Sequence, residues 1–181
     1  MKSILIPALM AALIAGCSST PPADSGGAPV ETRSGGSGTE VAKVVAGNVE
    51  GSGLPRELTD PKSVLSRRSI YFDLDKYEVK DDYKDLVTAH AKFLSNNRNF
   101  KMLIQGNTDE RGSREYNLSL GQKRADAVKK SLMLLGAKEE QVESVSLGKE
   151  KPKNEGHDEA AWSENRRADM LYKGPTGSGE F

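Results

Sequence analysis

Ile104-Gln-Gly-Asn-Thr-Asp109-Glu-Arg-Gly112-Ser-Arg-Glu-Tyr-Asn117 joins an apolar run to a long helical stretch carrying Lys123-Arg124-Ala125. Residues 101–106 read as a strand, buried from Met102 onward, that delivers Thr108 and Asp109 into a loop bounded by Gly106 and Gly112. Asn117 and Arg124 are seven residues apart, two turns along one helix face, so both return to that loop. Gly121 lies between them and would leave room for a ligand. A carboxylate and a guanidinium held this way suit a zwitterion. The carboxylate takes an ammonium and the guanidinium takes a carboxylate in bidentate fashion. The bland alternatives stand beside this: Asp109 as a turn or N-cap acid, Asn117 as an N-cap, Arg124 as a solvated helix charge.

Outward from this stretch the pattern alternates strand and helix. Ser69-Ile-Tyr-Phe72 is β-prone, and Asp73-Leu-Asp75-Lys-Tyr77 follows as a loop with turn-forming acids. Over 80–97, Tyr83, Leu86, Val87, Ala91 and Leu94 fall at helical spacing. A second long helix is predicted over 119–135, with Leu118, Ala125, Val128, Leu132 and Leu135 on one stripe and Gly136 as its C-cap. Residues 142–147 alternate as a third strand. Residues 158–164 read as a short helix capped by Asp158, and 167–172 as the last strand. The β-α-β-α-β-β order predicts an α/β (α+β) sandwich, two long helices on one mixed sheet, and β-α-β connections of this length fit the right-handed crossover rule.

The chain carries 26 acidic and 26 basic residues, so it has no net field to steer a nucleic acid. Lys2 is a minimal positive region, and the apolar stretch from Ile4 to Ala15 is too short to span a bilayer. Ile14-Ala-Gly-Cys17 then resembles a bacterial lipobox, which makes 1–16 a signal peptide and Cys17 the lipidated N-terminus. It is the only Cys, so thiol and Cys-metal chemistry are excluded from the mature chain. Acyl chains there would hold a membrane, at about 0.8 kcal/mol per buried methylene. Residues 17–59 read as a lipidated flexible linker rich in Gly, Ser, Pro and Thr. Val41 to Val49 is the apolar patch within it. Residues 60–173 are one domain, and 174–181 a disordered tail.

His90 lies on an apolar helix stripe, and His157 and Trp162 look structural. The histidines have no HExxH spacing or partner cysteine, so no metal is expected. There is no nucleophile elbow, no phosphate loop and no carboxylate pair flanking a sugar bond. An enzyme is not expected, and no cofactor beyond the covalent lipid on Cys17.

Gly106-x-Thr108-Asp109-x-x-Gly112-Ser113-x-x-Tyr116-Asn117-x-x-Leu120, with Arg124-Ala125-x-x-Val128, resembles the OmpA-like peptidoglycan-binding domains. Asp109-Glu-Arg-Gly112, Gly156-His-Asp-Glu-Ala-Ala-Trp162 and Asn165-Arg-Arg-Ala168 resemble more specifically the peptidoglycan-associated lipoproteins of that family. The resemblance covers about 60–173 and implies the same architecture. It implies that Asp109 binds the ammonium of diaminopimelate and Arg124 its carboxylate. Thr108 and Asn117 would hydrogen-bond the ligand, the Phe72, Asp73 and Asp75 loop would line the groove, and Arg167 would be a distal arginine near it. A plain turn and a structural ion pair remain the alternatives for that loop and for Arg167. Asn107 departs from the family, where many members carry His. Ser18 after the Cys implies outer-membrane delivery, facing the periplasm. The implied partners are the peptidoglycan stem peptide, the outer membrane through the lipid, TolB and through it TolA, and no nucleic acid. A protein-interaction hub for TolB and TolA, or a purely structural lipoprotein with a vestigial groove, are the rival readings.

Overall fold

A computed structural model describes residues 53–181. The signal peptide, Cys17, the sorting position and the Val41 to Val49 patch lie outside the described residues. Four strands form one mixed sheet: β1 (Ser69–Tyr71), β2 (Lys101–Asn107), β3 (Val142–Gly148) and β4 (Arg167–Lys173), in the order β1-β4-β2-β3. β2 and β3 run parallel, while β4 is antiparallel to both β1 and β2. Four helices accompany them: α1 (Arg56–Thr59), α2 (Lys84–Asn96), α3 (Arg114–Leu134) and α4 (Glu159–Asn165). The mixed sheet under two long helices is the expected architecture.

Alternation along the strands builds the core. Ile70, Met102, Ile104, Val142, Ala168, Met170 and Tyr172 are buried in one cluster with Leu86, Val87, Ala91 and Leu94 of α2 and Ala125, Val128 and Leu132 of α3. α2 lies near β4, where Phe93 meets the Tyr172 ring edge-on at 5.3 Å. His90, fully buried, sits between the Tyr172 hydroxyl at 2.8 Å and the Arg67 carbonyl at 2.9 Å. The carbonyl must accept from Nε2, so Nδ1 accepts from the Tyr172 hydroxyl and the ring is neutral. Burial lowers its pKa from 6.5 to about 4.

α3 starts earlier than the predicted 119, because Ser113 accepts a hydrogen bond from the Tyr116 amide at 3.1 Å and caps the helix. Gly112, at φ 89°, turns the chain into that cap, a conformation that costs most other residues energy. The buried stripe is Asn117, Gly121, Arg124, Ala125, Val128 and Leu132, at helical spacing. Leu118 and Leu135, expected on it, are about half exposed: polar residues hold the stripe in the first turns, and Leu135 lies past the helix as its C-cap. Gly121 opens no space toward a ligand. A Cβ on Gly106 would stand 1.8 Å from the Gly121 carbonyl oxygen, and one on Gly121 would stand 2.3 Å from Ser146 Oγ. Helix and sheet touch backbone to backbone there, which brings Arg124 down beside Asn107.

Two boundaries move. The folded body begins before residue 60: Leu54 and Leu58, four residues apart around the turn of α1, are buried in the core. The tail 174–181 is ordered, since Gly179 bridges to Lys173 and the Glu180 amide donates to the Tyr172 carbonyl at 2.8 Å. The Glu180 carboxylate accepts from the Tyr172 amide at 2.8 Å and pairs with Arg68. Arg68 also donates to the Leu58 and Leu65 carbonyls, tying both ends of the body together.

Candidate ligand-binding site

A cleft of about 290 Å³ opens where the β2–α3 loop, the first turns of α3, the β1–α2 loop and the end of α4 converge. Thr108, Asp109, Asn117, Arg124 and Asp75 all line it, so the acid, the base and their neighbours do meet. Leu74, Arg111, Gly112, Tyr116, Leu120 and Arg166 complete the wall.

Arg124 is fully buried. Its Nε donates to the Lys76 carbonyl at 2.9 Å, and its two terminal nitrogens to those of Asn107 at 2.9 Å and Asp73 at 3.1 Å. The Phe72 ring lies 5.3 Å beneath it. Burial lowers its pKa from 12.5 to about 10, partly countered by the charge of Asp109, so it stays protonated at neutral pH. Three of its five N–H groups are committed to carbonyls, and it makes no ion pair among the described residues. A buried guanidinium without a carboxylate partner keeps N–H donors in a geometry that matches one.

Asp109 is buried and already paired. Arg111 grips it with its backbone amide at 3.1 Å, Nε at 3.3 Å and a terminal nitrogen at 2.7 Å. Arg166 reaches it at 3.3 Å. Burial pushes the Asp109 carboxyl up, but these bonds, Arg111 first, hold it below the ordinary range. Thr108 is anchored through its amide to the Gly148 carbonyl at 2.9 Å, and its buried hydroxyl has no partner. Asn117 lies inside the helix rather than at its cap, and donates to the Arg111 carbonyl at 2.7 Å, closing the loop.

The β1–α2 loop contributes unevenly. Phe72 is core, and gives its carbonyl to Arg166 at 3.2 Å. Asp73 offers its carbonyl to Arg124, while its exposed carboxylate pairs with Lys80 at 2.6 Å; that hydrogen bond holds its pKa down. Asp75 adopts φ 56°, which Asp tolerates better than most residues, and accepts from the Tyr116 hydroxyl at 2.6 Å. That bond raises the Tyr116 pKa.

Arg167 does not line the cleft. It pairs with Asp169 at 2.8 Å two residues along β4. Its neighbour Arg166 is the cleft arginine, spanning Asp109, Phe72 and Glu159. Arg166 closes α4 and Arg167 opens β4, and the two side chains diverge, so choosing the wrong member of the pair inverts the assignment. Asn107 likewise turns away, toward the Gln105 carbonyl at 3.0 Å and Asp169 at 3.4 Å.

Arg111, Arg166 and Tyr116 were missed from sequence. For Arg111 and Tyr116 the signal was the density of polar residues just after Asp109, and for Arg166 the adjacent pair Arg166-Arg167. Trp162 and His157, expected to be structural, both bond Glu110, through Trp162 Nε1 at 2.9 Å and His157 Nδ1 at 2.8 Å, and the Arg111 guanidinium stacks 4.0 Å over the Trp162 ring.

Residues 71–166 match the OmpA family. A peptidoglycan-associated lipoprotein of Legionella pneumophila is 36% identical over 163 residues, covering 90% of each chain. One from Pasteurella multocida is 51% identical over 104 residues, 58% of this chain and 69% of the relative. The crystal structure of the peptidoglycan-associated lipoprotein from Burkholderia pseudomallei superposes with a TM-score of 0.64 at 57% identity, covering 65% of this chain and 99% of that one. The chain belongs to the OmpA family, and within it to the peptidoglycan-associated lipoproteins.

Proposed function

We propose that this is a non-catalytic lipoprotein of the Gram-negative outer membrane, anchored by lipid on Cys17 and facing the periplasm, that ties the membrane to peptidoglycan by binding diaminopimelate of the stem peptide. The observation that carries the reading is the buried Arg124 without a carboxylate, in one cleft with the unpartnered Thr108 hydroxyl and the Asp109 carboxylate. Arg124 takes the carboxylate of diaminopimelate, Asp109 its ammonium, and Thr108 hydrogen-bonds beside them. A single such site is modest in affinity, and many anchored copies facing one polymeric wall raise it by avidity.

Co-sedimentation of residues 53–181 with purified sacculi tests this. Binding to diaminopimelate-containing sacculi, with loss in Thr108→Val and Asp109→Asn and on sacculi carrying lysine at the third stem position, supports it. Equal binding to both walls would falsify the assignment, since lysine lacks the carboxylate that Arg124 awaits.

A second role, docking TolB and through it coupling to TolA in the Tol-Pal envelope system, rests on apolar groups at the cleft. Leu74 and Tyr116 line it while 53% and 47% exposed, and Tyr77 of the same loop is 42% exposed. If TolB covers this mouth, a diaminopimelate tripeptide displaces it.

A further inference from the structure

Building on the diaminopimelate reading, we infer that Arg111 is a specificity-determining residue: a tethered cation that occupies the ammonium site on Asp109 until the ligand's ammonium displaces it. The cleft is lined by five ionised side chains, Asp75 and Asp109 against Arg111, Arg124 and Arg166. Glu159, outside the lining, pairs with Arg166 at 2.6 Å, so the guanidinium that competes with an arriving ammonium for Asp109 is that of Arg111. With Arg111 withdrawn, the Asp109 carboxylate keeps, of its side-chain partners, only Arg166 at 3.3 Å, and the ligand's ammonium can take the place of the lost fork.

The two arginines on Asp109 differ in how they are held. Arg166 is 7% exposed and locked by the Phe72 carbonyl and by Glu159 at 2.6 Å. Arg111 is 36% exposed, and every hydrogen bond its side chain makes goes to Asp109. Its guanidinium has a second set of neighbours outside the cleft lining. The Trp162 ring is 4.0 Å away, pinned by Glu110, and Glu159 is 3.8 Å away. Rotation of the guanidinium toward Glu159 keeps the stack on Trp162 and opens the fork on Asp109. The guanidinium that leaves is 36% exposed and is rehydrated as it goes, while the ammonium entering its place is compact and reaches a carboxylate already stripped of water.

The consequence is selectivity. A ligand with the distal carboxylate but no ammonium cannot expel Arg111, and gains nothing from its removal. The test is calorimetry on the full chain in detergent micelles. The probes are the tripeptide L-Ala-γ-D-Glu-meso-diaminopimelate and its analogue with 2-aminopimelate at the third position, which lacks the free ammonium. Arg111→Gln is expected to tighten the diaminopimelate peptide about two- to fivefold, the worth of a half-exposed ion pair. The 2-aminopimelate peptide is expected to be unchanged or weaker. Weakening of both peptides in parallel in a variant with wild-type circular dichroism would mean that Arg111 contacts the ligand directly, and would overturn the displacement. Equal affinity of the wild type for the two peptides would overturn it as well. Failure of the folded wild type to bind either peptide would remove the diaminopimelate reading itself, and with it this inference.

Discussion

Arg124 and Asp109 form one receptor in sequence terms, yet they differ in what else they hold. Arg124 bonds three backbone carbonyls from two loops, so its removal strands all three in a buried place and leaves a cavity. Arg124→Ala is therefore expected to cost roughly 3–5 kcal/mol of stability, read as a shift of the urea midpoint at unchanged slope. Asp109→Asn keeps the shape of the side chain and, through its one amide oxygen, two of its four hydrogen bonds. It is expected to lose about 2–5 kcal/mol of wall binding with a far smaller change in unfolding midpoint. Equal loss of stability in both variants would contradict this division.

At the scale of elements, the placement of the site depends on how closely α3 lies on β2. Gly106 and Gly121 set that distance, because any side chain at either position meets backbone of the other or Ser146. Gly121→Ala is expected to lift the helix and destabilise the fold by about 1–3 kcal/mol, as overpacking does. Because Arg124 is three residues on, peptide affinity should fall too. Thermal unfolding with peptide titration of the same sample checks both, and an unchanged Tm would refute the contact. The loop from Asp109 to Gly112 is held from outside by α4, through Arg166 and the Arg111 stack on Trp162. The short last helix thus shapes a site otherwise built from β2, α3 and the β1–α2 loop.

The whole molecule titrates through groups remote from one another. His90 has a folded pKa near 4, below its unfolded 6.5, so the unfolded chain takes up its proton first as pH falls. Stability is full above pH 6.5 and declines between 6.5 and 4, by on the order of 3 kcal/mol. Asp109, held below 3.8, contributes stability above that value and loses it only as pH drops further. Urea midpoints across pH 3–8 should fall in that order, and His90→Gln should flatten the segment between 6.5 and 4. A flat profile there would mean that His90 is not held neutral. Removing residues 175–181 frees the Tyr172 amide and Arg68 from Glu180, and is expected to cost about 1–3 kcal/mol by the same assay. An unchanged midpoint would show that the ordered tail carries no stability.

The element order, the mixed sheet with its two long helices, and the meeting of Thr108, Asp109, Asn117 and Arg124 were legible in the sequence. They depend on periodicity and spacing within segments of ten to twenty residues, which local sterics and the hydrophobic effect impose directly. Other features were decided only by tertiary structure. Which of Arg166 and Arg167 faces the cleft depends on where α4 ends and β4 begins against β1. The role of Gly121 depends on the strand beneath it. The order of the tail depends on Arg68, more than a hundred residues upstream. The pairing of Asp109 with Arg111 depends on the turn at Gly112. In each case the partner is supplied by another element or by the path of a turn, so the energy that selects the arrangement belongs to a contact rather than to a pattern along the chain.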